Sequence, residues 1–283
     1  MSSLISKIKK EIKGTLRAWF APKIRASDFQ RGLEALQVPK DKPVLVHSSL
    51  STFGFVPGGP QTMLEGIQNY LQPEMTIVLP THSWNLVSRG LRTFDANSTP
   101  SCVGTVTQWF RQQPGVIRSL HPTHSIAAIG RGAEELVDGH DQCDTPCGSG
   151  TPYHKLLSSN GTILLLGAPP ESNTCYHTLE ALAGVDYLLQ KEPTQFDITD
   201  THGRSFSRAF RLHQAGIRRD LSSLYRNLQE SGGMSVSQVG GAKITAMDGR
   251  KLLKVGMDLL GSNPRALLDA QRESKSLTGF PNE

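Results

Sequence analysis

Residues 44–59 read Val-Leu-Val-His-Ser-Ser-Leu-Ser-Thr-Phe-Gly-Phe-Val-Pro-Gly-Gly. Val44-Leu45-Val46 is a short apolar run with β-branched residues and predicts a strand. From His47 to Gly59 there are three Ser, one Thr and three Gly, the composition of a loop. From Pro60 to Leu71, Met63, Leu64, Ile67 and Leu71 share one helical face, and Pro60 suits a first turn. Thr76-Ile77-Val78-Leu79 is a second strand, running into Pro80-Thr81-His82-Ser83. Strand, helix and strand make a βαβ unit with parallel strands and a right-handed crossover. The carboxyl ends of both strands then lie on one sheet edge, each with hydroxyls and a histidine. Open α/β sheets bind ligands at that edge.

The alternation continues along the chain. Helices are predicted over 103–110, 133–137, 152–157, 174–183 and 221–228, and strands over 125–129 and 162–166. Thr162 to Leu166 is the most apolar strand and reads as central. Thr194 to Leu212 has two runs split by Asp200-Thr201-His202-Gly203 and predicts a β-hairpin. Lys243 to Met247 reads as a strand, followed by a helix that Asp248 can cap. The predicted fold is α/β: one domain with a mixed sheet, parallel βαβ units flanked by helices, and a β-hairpin subdomain. Its expected bounds are 24–270. A basic amphipathic helix (1–23) precedes it and a polar tail (271–283) follows.

Composition excludes several classes. The chain has 283 residues, 37% of them hydrophobic, which suits one large or two small globular domains. Four Cys at this length are no disulfide scaffold. The run Ile163-Leu164-Leu165-Leu166 is far short of the ~20 residues a membrane span needs. No hydrophobic region followed by a small-residue cleavage site opens the sequence, so a cytoplasmic location is expected. The net charge of +5 belongs to one segment. Residues 1–23 set Lys7, Lys9, Lys10, Lys13, Arg17 and Lys23 against Glu11 alone, which leaves 24 acidic and 24 basic residues elsewhere. Nothing in the body asks for nucleic acid. The terminal helix is one that can dock on its own domain, on a second subunit of an oligomer, or on an anionic membrane surface.

The chemistry concentrates after the central strand. His177 and Glu180 are three apart on a predicted helix and share a face. The helix N-terminus disfavours the imidazolium, while a carboxylate fixes the tautomer and steadies the cation once a proton arrives. That is the make-up of a general base, although such pairs also occur as plain surface contacts. The 47–59 loop leads into a helix N-terminus and suits a pyrophosphate, or serves as a structural turn. It matches neither ordinary nucleotide fingerprint. His121-Pro122-Thr123-His124-Ser125 can line the same edge. His140, Cys143 and Cys147 lack the second ligand pair of a zinc site, so no metal is expected. Cys175 points away from His177 at i,i+2, and no G-x-S-x-G occurs.

Six stretches taken together carry a resemblance. They are 44–59, V-L-P-T-H-S (78–83), H-P-T-H-S-I-A-A-I-G (121–130), P-C-G-S-G-T-P (146–152), I-L-L-L-G (163–167) and N-T-C-Y-H-T-L-E (173–180). In this order they resemble the aminoglycoside 3-N-acetyltransferases. The resemblance implies the antibiotic N-acetyltransferase fold, acetyl-CoA as cosubstrate, and direct transfer of acetyl to an amine. It points to Ser49, Leu50, Ser51, Gly54 and Val56 as cofactor-binding, with Thr81 and Ser125. It points to His177, Glu180 and His47 as catalytic.

One departure bears on the acceptor. Family members acting on antibiotics carry a longer acidic and Trp-rich insertion after P-T-H-S. Here 84–92 is short and holds Arg89 and Arg92. Two arginines there repel a cationic aminoglycoside and suit a neutral or phosphorylated amino sugar. The leading expectation is therefore an amino-sugar N-acetyltransferase, with antibiotic resistance second. A non-catalytic CoA- or sugar-binding module and a metal-dependent hydrolase are the alternatives from other classes.

Overall fold

The computed structural model describes residues 22–269. The expected N-terminal helix, its membrane contact and the polar tail therefore lie outside the described residues, apart from Pro22 and Lys23. Lys23 is extended and bridges Phe55.

The strands are β1 (Val44–Ser48), β2 (Ile77–Pro80), β3 (Thr93–Asp95), β4 (Ile117–Arg118), β5 (Ile126–Ile129), β6 (Thr162–Leu166), β7 (Thr194–Thr199), β8 (Ser205–Phe210), β9 (Met234–Val239) and β10 (Ala242–Asp248). Seven of them form one sheet in the order β4-β5-β2-β1-β6-β10-β9. Its centre is parallel: Val44 pairs with Ile77 on one side and Thr162 on the other. The flanking pairs β2–β5 and β6–β10 are antiparallel, which makes the sheet mixed. The predicted hairpin is β7–β8, and β3 joins it in parallel as a small second sheet.

Helices cover both faces of the large sheet. On one lie α1 (Ala26–Ala35), α2 (Pro60–Tyr70) and α4 (Thr105–Phe110), while α3 (Trp84–Ser88) sends Val87 into the core of the small sheet. On the other lie α5 (Ala133–Val137), α6 (Pro152–Ser158), α7 (Cys175–Leu182), α8 (Ser222–Glu230) and α9 (Gly249–Ser262). Successive strand side chains point to opposite faces, so each central strand feeds two cores. Val44, Val46, Leu164 and Leu166 pack with Phe29, Met63 and Ile67. Leu45, Ile163 and Leu165 pack with Tyr153, Leu156 and Leu179. Each fully buried Leu or Ile contributes roughly 1.5–3 kcal/mol. His47 follows Leu45 by two residues, so it stands on the face that carries α7. The hairpin has its own core of Phe94, Phe196, Ile198 and Phe210. As expected, the Asp248 carboxylate caps α9, accepting from the Lys251 N–H at 2.8 Å.

Gly167 couples the two halves of the sheet edge. It leaves β6 with φ +68, a left-handed conformation that glycine adopts at no steric cost. A Cβ there would clash with Thr52 Oγ1 and lie 3.0 Å from the Ser49 carbonyl oxygen. Gly167→Ala is therefore expected to cost about 1–3 kcal/mol in urea unfolding, from strain plus overpacking. A midpoint unchanged from wild type would contradict this packing.

Candidate active site

The loop entering α7 is fixed by Asn173, which is fully buried. Its Oδ1 accepts the Cys175 N–H at 3.1 Å, and its amide reaches Tyr225 Oη at 3.4 Å. Tyr225 in turn donates to the Pro170 carbonyl at 2.8 Å. His177 is thereby set in the first turn of α7. Its Nδ1 lies 2.7 Å from Glu180 Oε2. Arg219, just before α8, donates Nε to Glu180 Oε1 at 3.0 Å and Nη2 to Oε2 at 3.3 Å. A carboxylate only accepts, so Nδ1 carries the ring proton. The lone pair is left on Nε2, which has no protein partner among the described residues.

Burial opposes the charge on both members of the pair. At Glu180 the hydrogen bond and charge of His177, with the Arg219 guanidinium, outweigh burial and hold the carboxyl below its ordinary range. At His177 burial outweighs Glu180, and the ring titrates below 6.5. It is a neutral, oriented base at pH 7. Sequence reasoning assigned that neutrality to the helix terminus; in the structure burial is the larger cause.

Two cavities meet at this ring. The first, about 330 Å³, opens where β1 and β2 end and is lined by His47, Ser48, His82, Thr107 and Tyr176 among others. The second, about 580 Å³, lies toward the hairpin and is lined by Arg92, Gln190, Thr194, His213 and Arg219 among others. His177, His124 and the half-exposed Trp84 line both.

Around them is a group of buried imidazoles. Ring centroids lie 4.3 Å apart for His177–His213, 4.5 Å for His213–His124 and 4.6 Å for His124–His82. His82 Nε2 is 2.7 Å from Tyr153 Oη, which donates to the His124 carbonyl at 3.1 Å. Burial lowers His82, His121, His124 and His213 well below 6.5, His140 to about 4 and His47 to about 3.

The other expected positions divide. His47 lines the first cavity, and its buried Nε2 has no hydrogen-bond partner. Ser49, Leu50, Ser51, Gly54 and Val56 form the turn beyond it. Leu50 packs on the core and Val56 is part of it, so those side chains serve the fold. Ser51 and Gly54 are exposed, and Gly54, at φ +86, has nothing within 4 Å of where a Cβ would stand. Thr81 and Ser125 depart from expectation. Both are fully buried, and Arg118 Nε donates to each hydroxyl at 3.1 Å. They hold Arg118, which also reaches the Ala96 carbonyl and so ties the two sheets. Arg92 lines the second cavity, whereas Arg89 lies outside it. His140 spends its ring nitrogens on Ser119 Oγ at 2.8 Å and the Pro146 carbonyl at 3.0 Å. Among the described residues no cluster of His, Cys, Asp or Glu is arranged to hold a metal. Cys175 is buried in the core, and burial pushes its thiol up.

The model of the aminoglycoside 3-N-acetyltransferase family matches residues 45–261, most of the chain and the whole of this site. The chain belongs to this family. It is 32% identical over 168 residues to the SPbeta prophage-derived aminoglycoside N(3')-acetyltransferase-like protein YokD of Bacillus subtilis, covering 52% of this chain and 61% of that one. Against aminoglycoside N(3)-acetyltransferase VIII of Streptomyces fradiae it is 32% identical over 183 residues, 58% of this chain and 64% of the relative. These matches span under two thirds of either relative's length. The crystal structure of aminoglycoside acetyltransferase AAC(3)-Xa superposes with TM-score 0.74 at 25% identity, covering 89% of this chain and 97% of that one. A variant of AAC(3)-IVa in complex with a gentamicin gives 0.77 at 25% identity, covering 90% and 95%.

Within this member of the aminoglycoside 3-N-acetyltransferase family, sequence reasoning missed Arg219, His213 and Tyr153. Arg219 lies 39 residues from Glu180, and no local spacing joins them.

The imidazole group makes acid stability a test. All seven rings have folded values below 6.5, so the unfolded chain binds more protons than the folded chain below that pH. Stability is full above about pH 6.5 and falls with pH, by up to ~1.4 kcal/mol per pH unit for each ring. The melting temperature should drop steeply as pH falls from about 6.5 to about 4.5. A flat profile across that window would contradict the buried, neutral rings.

Proposed function

We propose that the protein is a cytoplasmic acetyl-CoA-dependent N-acetyltransferase, moving acetyl directly to an amine of an amino sugar, with His177 as general base. The observation that carries this reading is the His177–Glu180 contact, which leaves the Nε2 lone pair at the junction of two cavities. The donor takes the first cavity, beside the turn that begins at His47. The acceptor takes the second.

The amine nitrogen attacks the thioester carbonyl carbon and gives one proton to Nε2. Glu180 steadies the imidazolium. The tetrahedral adduct collapses, the C–S bond breaks, and the thiolate takes the proton back from Nε2. Products are the acetamide and free CoA thiol. His47 and His82, neutral and facing the donor cavity, offer polar contacts to the thioester without a charge that would compete for the proton. No covalent acyl-enzyme is required.

Thiol release with acetyl-CoA and a panel of amines tests this reading. His177→Ala is expected to lower kcat by about 10²–10⁴, with acetyl-CoA binding retained. Glu180→Gln is expected to lower kcat less, because Nε2 remains. Wild-type turnover in His177→Ala would remove the general base. Thermal stabilisation by acetyl-CoA with no turnover of any amine would favour a binding module instead.

A further inference from the structure

Resting on that transferase reading, we propose that the acceptor is a phosphorylated amino sugar whose phosphate is held by Arg92. Among the described residues, the second cavity is lined by no Asp or Glu. Its neighbouring carboxylate, Glu180, is fully buried and already paired with Arg219 and His177. The charge of Arg219 is already compensated: Nε and Nη2 go to Glu180, and Nη1 also donates to the Ile217 carbonyl at 2.8 Å. Arg92 differs. Its Nη1 is anchored on the carbonyls of Val87 at 3.1 Å and Leu91 at 3.0 Å, and its guanidinium lies 5.8 Å from the Phe196 ring centroid. It has no ion-pair partner among the described residues. The result is an oriented, uncompensated cation with N–H groups to spare, the geometry that suits a phosphate fork.

Two further features fit the same ligand. His213 lines the same cavity, and its Nε2 has no hydrogen-bond partner among the described residues, so a small shift of the ring would present it to a ligand hydroxyl or phosphate oxygen. Trp84 is 48% exposed where the two cavities join and offers an apolar face to a sugar ring. The volume, about 580 Å³, accommodates a monosaccharide phosphate. A polycation finds no carboxylate in this cavity and meets Arg92.

The test compares glucosamine, glucosamine 6-phosphate and gentamicin as acceptors, by thiol release and by calorimetric titration of the CoA-loaded protein. Glucosamine 6-phosphate is expected to exceed glucosamine in kcat/KM and in affinity by about tenfold or more. That ratio should shrink toward one in Arg92→Gln, recover in part in Arg92→Lys, and fall with added salt. Gentamicin or glucosamine turned over in preference would overturn this inference while leaving the transferase intact. Thiol release from no amine would overturn the transferase reading. The titration then decides the inference alone: equal affinity for the two glucosamines, or no effect of Arg92→Gln on their ratio, overturns it.

Discussion

A carboxylate with no solvent exposure cannot stand alone, and Glu180 is held by charge and hydrogen bonds from two sides. Arg219 occupies both of its oxygens, and His177 donates to one of them. Leaving a buried charge unpaired costs several kcal/mol, so this trio fixes two separate pieces of chain and one ring at once. It holds the first turn of α7, the segment ahead of α8, and the tautomer of the imidazole. The catalytic competence proposed for His177 is a by-product of the way this charge is accommodated. The ring is turned so that its proton faces the carboxylate and its lone pair faces open space.

The sheet supplies the place for that arrangement. Three parallel strands bring the ends of β1, β2 and β6 to one edge, and strand alternation sets His47 on the face that α7 covers. Burial then does to seven imidazoles what a single helix terminus does weakly: it removes their charge. Five of the neutral rings, His47, His82, His124, His177 and His213, line the two cavities. Across the same edge Arg118 ties the hairpin sheet to the main sheet through Thr81 and Ser125.

Much of this was legible in the sequence because it is local. The βαβ unit, the central strand and the hairpin each announce themselves by periodicity over a few residues. His177 and Glu180 could be paired because i,i+3 is a spacing that a helix imposes. What sequence reasoning missed is either short or distant. β4 has two residues and β3 three, too few for any period. β9 is an edge strand, Met-Ser-Val-Ser-Gln-Val, whose alternation breaks at Ser237-Gln238, a weak pattern until β10 pairs with it. Thr81 and Ser125 were expected to bind cofactor on the strength of the family resemblance, and in the structure both hydroxyls are buried. Arg118, which donates to both, sits on an edge strand too short to read from the sequence. Val56 and Leu50 stand in a loop by composition but face inward, which composition does not encode.

The most direct test of the account is a crystal structure with CoA bound. It should place the CoA sulfur in the cavity formed by His47, His82 and His177. His177 Nε2 should then lie within hydrogen-bond reach of the sulfur, about 3 Å or one bridging water, with Nδ1 still on Glu180. A sulfur bound at another edge of the sheet, or a ring turned to present Nε2 to protein atoms, would contradict it.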